Sequence, residues 1–336
     1  MKKDTYLLLF FILLGACKNQ GSTHAAKGLN NTVNYQLVKD WPQLPEGMIL
    51  GNPTGIGIDS AQHVFVFHRA SKEWPLLLPF SESLIPETTI LELDRTTGKI
   101  INEWGSNFFI MPHSLTVDKD DNIWVTDVGL QQVLKFSHEG LLLMKIGEAK
   151  ISGNDSSHFN RPTDVAVASD GSFYVSDGYR NSRVVKFSAA GHYLFSWGRK
   201  GDKPGEFNLP HSIELDGAGN VYVADRENSR IQVFDPDGKL LKEWKDDGFG
   251  KLYAIRIDKA SQNMVAVDYI TNYISPKGSN IIILTLDGAP IARFGRSGDY
   301  KGPVCRYHDL AIDKGGNIYV GDILGNKIQK FKRVPD

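Results

Sequence analysis

PHSIELDGAGNVYVADRENSRIQVFDPDGKLLKEW, residues Pro210–Trp244, is one complete structural unit written in sequence. Ser212–Asp216 alternates as a first short strand. The Gly217–Asn220 turn follows, and Val221–Ala224 is a second strand. A polar loop, Asp225–Arg230, leads into a third strand at Ile231–Phe234. Asp237-Gly238 turns the chain into a fourth strand, Lys239–Trp244. Gly- and Asn-rich turns between short β-branched and aromatic runs mark an antiparallel meander. One four-stranded sheet of this size cannot bury both its faces, so it needs copies of itself.

The copies are present. HSLTVDKDDNIWVTDVGLQQVLKF starts at His113, TDVAVASDGSFYVSDGYRNSRVVKF at Thr163 and HDLAIDKGGNIYVGDILGNKIQKF at His308. Weaker versions start at Thr54 and Tyr253. The starts are roughly 40–60 residues apart, the spacing of propeller blades. The pattern resembles NHL-type repeats and predicts an all-β chain folded as a six-bladed β-propeller. A β-sandwich is the bland alternative, and register-matched repeats argue against it. Val33–Trp41 reads like the fourth strands Lys99–Trp104 and Lys239–Trp244, while the last unit stops after Phe331 without one. The N-terminal strand is therefore expected to complete the final blade, closing the ring and removing two sheet edges.

Upstream of the repeats, Lys2 and Lys3 precede an apolar run, Tyr6–Leu14, and then Leu14-Gly15-Ala16-Cys17. The run is too short for a stop-transfer helix and fits a signal peptide. Leu-Gly-Ala-Cys resembles a bacterial lipobox. The expectation is a lipoprotein signal over residues 1–17 with Cys17 acylated, a flexible tether over 18–32, and a propeller over 33–336. An exported, membrane-anchored protein follows, periplasmic or at the cell surface. Ordinary secretion with a coincidental cysteine is the alternative. Formal net charge is −1, with 38 basic and 39 acidic residues and no basic stripe, which argues against nucleic acid. Besides Cys17 there is only Cys305, so no disulfide framework can brace the domain, which is expected to be a monomer.

Two insertions interrupt the repeats, Ser71–Pro86 in the first and Ala149–Phe159 before the third; Tyr269–Lys277 is irregular. Trp74, Leu76–Leu78 and Phe80 either pack under the rim or wall a ligand site.

The chemistry sits at matched repeat positions. His113, His211 and His308 each stand immediately before a first strand, in the second, fourth and sixth units. First strands line the channel of a propeller, and alternate blades lie about 120° apart, so three imidazoles converge on the axis. Three histidines with an open fourth position suit a catalytic zinc. A lone histidine there would be a satisfied turn residue; three in register are not so easily dismissed. The other blades carry Thr54, Thr163 and Tyr253. Loops between second and third strands open on the same face and bring Tyr179, Arg226 and Arg69. A phenol beside a metal can serve as a base. Two guanidiniums there imply an anionic substrate, most simply a carboxylate. Arg183 and Arg230 recur at one motif position and are read as ties between loops.

At this point the likeness becomes specific. VFHR (Val66–Arg69), MPHSL (Met111–Leu115), HFNRPTDVAV (His158–Val167), VSDGYRNSR (Val175–Arg183), PHSI (Pro210–Ile213), ADRENSRIQVF (Ala224–Phe234) and HDLAID (His308–Asp313) resemble the peptidyl-α-hydroxyglycine α-amidating lyases. The resemblance implies a zinc-dependent carbon–nitrogen lyase that splits peptidyl-α-hydroxyglycine into peptide amide and glyoxylate. It implies zinc on His113, His211 and His308, Tyr179 as the catalytic tyrosine, and Arg69 and Arg226 as active-site arginines. It also implies a structural calcium held by Asp309 and by the carbonyls of Ile56 and Leu115. The family's disulfide cysteines are replaced here, at or near Asn160, Arg180, Tyr222 and Val233. The third histidine follows Tyr307 rather than proline, and Cys305 lies close by as a spectator thiol or a soft extra ligand. The substrate would be a small peptide bearing a carboxylate. Two other classes remain open: a metal-dependent propeller hydrolase or lactonase, and a non-catalytic NHL-repeat binding protein.

Overall fold

The computed structural model describes residues 34–75, 81–271, 276–297 and 301–334. Cys17 and the leader, the tether, Val33, Leu76–Leu78, Phe80 and part of Tyr269–Lys277 lie outside the described residues. The described chain forms six four-stranded antiparallel sheets. Five blades are continuous in sequence, over residues 53–104, 112–146, 164–197, 210–245 and 251–296. The sixth is built from residues 307–334 and takes Asn34–Leu37 as its outermost strand. Asn34 pairs with Val334 and Leu37 with Phe331, so the chain's two ends share one sheet. That is the closure expected from the sequence.

The second strand of each repeat reads as a nearly continuous apolar run because neighbouring blades cover both its faces. IWVTD, FYVSD, VYVAD and IYVGD are buried at every residue. The outermost strands alternate or are exposed, as in Tyr193–Trp197. The core is accordingly six clusters, one between each pair of adjacent blades. The cluster between the last and first blades joins Ala311, Tyr319 and Ile328 to Ile56, Val66 and Leu91, and takes in Trp41. It joins the last blade to the first as the other clusters join their neighbours, which makes the ring continuous. Full burial of a side chain of this size contributes roughly 1.5–3 kcal/mol.

One local feature departs from the sequence reading. The first strand of the fourth blade starts at Pro210, two residues earlier than the alternation suggests. The pairing register shifts between Pro210 and Ser212, leaving His211 as an extra residue. The same shift brackets Thr54, His113, Tyr253 and His308. A β-bulge inserts one unpaired residue and re-aims its side chain. Five of the six blades therefore place a bulge at the position that faces the channel mouth.

Candidate metal centre and active site

The three bulged histidines meet. Ring centroids of His113, His211 and His308 are 4.7–5.0 Å apart, and all three side chains are buried. One ring nitrogen from each lies within 4.8 Å of the others. The remaining nitrogen is already engaged. His113 Nδ1 lies 2.6 Å from the Thr163 carbonyl, His211 Nδ1 2.6 Å from that of Tyr253, and His308 Nδ1 2.9 Å from that of Thr54. Carbonyls only accept, so each Nδ1 carries the proton and each Nε2 keeps its lone pair. The three acceptors occupy the repeat position that carries histidine in the alternate blades. Each imidazole is thus held by the blade that follows it, an arrangement that fixes ring orientation for a metal ligand. The sequence contained these partners as the non-histidine members of the repeat position, but not the fact that only their backbone matters.

Burial holds the imidazoles neutral. His113 is pushed down to about 3, by burial first and by the charge of Arg69 second. Burial also drives His211 and His308 well below the usual range. Three neutral, pre-oriented nitrogen donors on buried side chains match the donor chemistry of zinc. Cys305 is not part of the set. It is buried between the fifth and sixth blades, and burial raises its thiol to about 11.

Tyr179 completes the mouth. Its hydroxyl lies 3.1 Å from His113 Nε2 and 3.3 Å from His211 Nε2. The loop carrying it presses onto the fourth blade: a Cβ on Gly178 would sit 1.9 Å from the Pro210 carbonyl, so only glycine fits. Asp177 ties this loop down, accepting from Asn160 N, Asn181 Nδ2 and Arg183 Nε at 2.6–3.0 Å. Arg183 also donates to the Asp155 and His158 carbonyls, and Arg230 is fully buried against Asp225. Both are ties between loops, as the repeat pattern suggested. Burial raises the Tyr179 phenol, while Arg226 and then Arg69 oppose that rise among the charged groups.

Arg226 stands with its guanidinium carbon 5.6 Å from the Tyr179 ring centre and 4.9 Å from that of Tyr253. Glu227 holds it at 2.9 Å. Arg69 is buried, donates from Nε to the Pro112 carbonyl at 3.0 Å and reaches Asn52 Oδ1 at 3.2 Å. Trp74 lies 4.9 Å from the Arg69 guanidinium and 5.1 Å from the Tyr179 ring, so this residue of the insertion walls the site. Arg306 was missed by sequence reasoning. It lies 4.5 Å over Tyr269 and 5.8 Å over Tyr253, and its Nε is buried without a hydrogen-bond partner. No repeat pattern flagged it, because it precedes the sixth unit.

Deeper in the channel, the set expected for calcium does not fit a second cation. Asp309 Oδ2 accepts from Ile56 N at 3.0 Å, and Oδ1 accepts from Arg256 Nη2 at 3.0 Å. Arg256 Nη1 reaches Asp164 Oδ2 at 3.1 Å and Ser212 Oγ at 3.0 Å. A buried guanidinium thus bridges the two channel carboxylates and supplies the positive charge itself. A divalent ion on Asp309 would meet that fixed charge. The residues at or near which the resemblance implies cysteines are neighbours: Tyr222 pairs with Val233, and Arg180 N donates to the Asn160 carbonyl at 3.2 Å.

An NHL-repeat family profile matches residues 109–136, 159–187 and 207–234. Peptidyl-glycine alpha-amidating monooxygenase B of Xenopus laevis is 33% identical over 338 residues, covering 90% of this chain and 36% of its own length. The chain therefore spans about a third of that relative. Peptidyl-alpha-hydroxyglycine alpha-amidating lyase 2 of Drosophila melanogaster is 33% identical over 312 residues, covering 86% of this chain and 72% of its own. Among solved structures, a streptogramin B lyase superposes with a TM-score of 0.57 at 17% identity, over 90% of this chain and 89% of that one. That last likeness concerns the fold alone.

Proposed function

The chain belongs to the peptidyl-α-hydroxyglycine α-amidating lyase family, and from that premise we propose that it cleaves the C–N bond of a peptide ending in α-hydroxyglycine. The products are a peptide amide and glyoxylate. The observation that carries this reading is the placement of the Tyr179 hydroxyl 3.1 and 3.3 Å from two Nε2 atoms of the histidine cluster, flanked by two arginines.

The balance of the reaction is simple. The α-hydroxyl gives up its proton, its oxygen forms the aldehyde C=O, and the C–N electron pair leaves on the amide nitrogen, which takes a proton. No oxidant or water is consumed. Tyr179, as phenolate, accepts the hydroxyl proton and returns one to the departing nitrogen. Arg226 and Arg69 orient the terminal carboxylate; a guanidinium can hold it by two parallel hydrogen bonds. Trp74 and the buried mouth keep water from the reacting carbon. His113, His211 and His308 would hold a zinc ion through Nε2, whose charge would lower the Tyr179 phenol and polarise a bound oxygen. Export with lipidation at Cys17 is proposed as the setting. The small-peptide substrate is proposed on the same footing.

The test incubates the protein with an α-hydroxyglycine-terminated peptide and measures glyoxylate and amide. Equal amounts of both are expected. Tyr179→Phe should lower kcat by about 10²–10⁴ with zinc content unchanged. Absence of glyoxylate from metal-replete protein would refute the reaction, and an unimpaired Tyr179→Phe would remove the tyrosine from it.

A further inference from the structure

On the opposite side of the sheets, a second group of donors has gathered where the repeat breaks its own rule. In the second, fourth and sixth blades, the aspartate that ends the first strand is satisfied from within the blade. Asp118 receives Asn122 Nδ2 at 3.0 Å and Trp124 Nε1 at 2.9 Å. Asp216 receives Asn220 at 2.8 Å and Tyr222 at 3.2 Å; Asp313 receives Asn317 at 2.8 Å and Tyr319 at 3.0 Å. On the third strand, Lys135 and Lys330 face Trp124 and Tyr319 and add a positive charge nearby.

The first blade changes all of these residues but the aspartate. Asp59 keeps the aspartate. His63 replaces the asparagine, Phe65 replaces the aromatic donor, and Glu92 replaces the lysine. The substitutions remove a donor and a cation, add a carboxylate and an imidazole, and leave Asp59 and Glu92 side by side. Their side chains are 1% and 4% exposed. The neighbouring blade then supplies His138 from its turn, edge-on to Phe65 at 5.1 Å.

We propose that Asp59, His63, Glu92 and His138 form a second metal site, a four-ligand clamp for a divalent transition ion such as zinc that links the first two blades. The donor atoms are already gathered. His63 Nδ1 lies 3.0 Å from Asp59 Oδ2 and 2.9 Å from Glu92 Oε1; His138 Nε2 lies 3.0 and 3.8 Å from the same two oxygens. All four atoms lie within 4.8 Å of one another. Bonds of about 2.0–2.2 Å in tetrahedral array give edges of roughly 3.3–3.6 Å, within that range. Asp59 Oδ1 accepts from His63 N at 2.6 Å, and its Oδ2 faces both imidazoles, which leaves Glu92 to share a donor. One N–H on His63 Nδ1 faces two carboxylate oxygens and can donate fully to only one. Two nitrogens and two oxygens suit zinc rather than calcium, which prefers oxygen alone. A closed set of four protein ligands makes the ion structural. The two imidazoles are 32% and 30% exposed and form the outer side, giving the ion a way in.

The test measures zinc bound by the full chain after equilibration in buffered zinc. The wild type is expected to hold about two ions, and His63→Ala/His138→Ala about one, with glyoxylate production retained. Glu92→Gln provides a gentler variant and should weaken the second ion at least about tenfold. In His113→Ala/His211→Ala, cobalt should still give the visible absorption of a tetrahedral centre, and Glu92→Gln added to it should abolish that signal. Zinc content equal in wild type and in the His63/His138 variant would overturn the proposal. So would a cobalt spectrum indifferent to Glu92; the cluster would then be a pair of protonated histidines neutralising two carboxylates.

Discussion

Arg256 offers the sharpest test of how the channel is held together. Its guanidinium is the cation between Asp164 and Asp309, both nearly devoid of exposure. Arg256→Ser removes that charge and leaves two carboxylates in the centre of the ring. At about 4 Å and an effective dielectric near 20, each lost ion pair represents up to about 4 kcal/mol of attraction. Part of this is offset. Asp164 keeps Ser114 Oγ, Ser212 Oγ and two backbone N–H donors, and Asp309 keeps Ile56 N and Leu310 N. The expected net loss is about 3–5 kcal/mol, the range for breaking a buried pair from one side. Burial already pushes the Asp309 carboxyl up to about 7 with the arginine in place. Without it, protonation relieves the repulsion, so the variant should be less destabilised at pH 6 than at pH 8. Urea unfolding at both pH values reads the loss, and adding millimolar calcium reads whether an ion can replace the guanidinium. Calcium should stabilise Arg256→Ser and leave the wild type unchanged. A loss under about 1 kcal/mol, or a wild type that calcium stabilises as much as the variant, would refute the assignment of Arg256 as the channel's own cation.

Three further outcomes follow from features described above. Trp41 is 4% exposed in the cluster joining the last and first blades, so Trp41→Ala should cost about 3–5 kcal/mol in urea unfolding; an unchanged midpoint would mean the closing seam contributes nothing. Burial depresses His68 to about 4, so its contribution is present above the unfolded value near 6.5 and is lost as pH falls toward 4, about 3 kcal/mol in total at about 1.4 per pH unit. Unfolding of chelator-treated protein between pH 7.5 and 5 should show the decline, and a flat profile would contradict it. Arg226→Gln should lower kcat/KM by about 10–150-fold through loss of a charge-assisted contact to substrate; the effect should vanish with a substrate whose terminal carboxylate is amidated.

Much of the ring was legible because repeats keep register. Once His113, His211 and His308 occupied one repeat position, their convergence followed from blade geometry. The strand Asn34–Leu37 was recognisable by its likeness to other fourth strands. What could not be read was anything a repeat does with its backbone. The bulge at each histidine has no residue signature, since Ser and Pro flank some and Tyr and Asp another. The Thr54, Thr163 and Tyr253 carbonyls are likewise invisible in side-chain identity. Arg256 was overlooked because a single arginine in an alternating strand looks like a solvated residue, and its two partners come from the third and sixth blades, 92 and 53 residues away. Calcium was carried by likeness alone, and no reading of the repeat placed the Arg256 guanidinium against Asp309. The Asp59 cluster was visible in principle as a break in the repeat, though only pairing across strands brings Glu92 beside it.

The alternation of histidine and carbonyl around the mouth gives the ring a hidden parity. Read by chemistry, it is a trimer of blade couples, each consisting of a ligand and its keeper. A circle with an odd number of such members would set two like members side by side, and the imidazoles would no longer approach the axis at equal angles. Gain or loss of a lone blade would therefore be tolerated by the architecture and not by the centre.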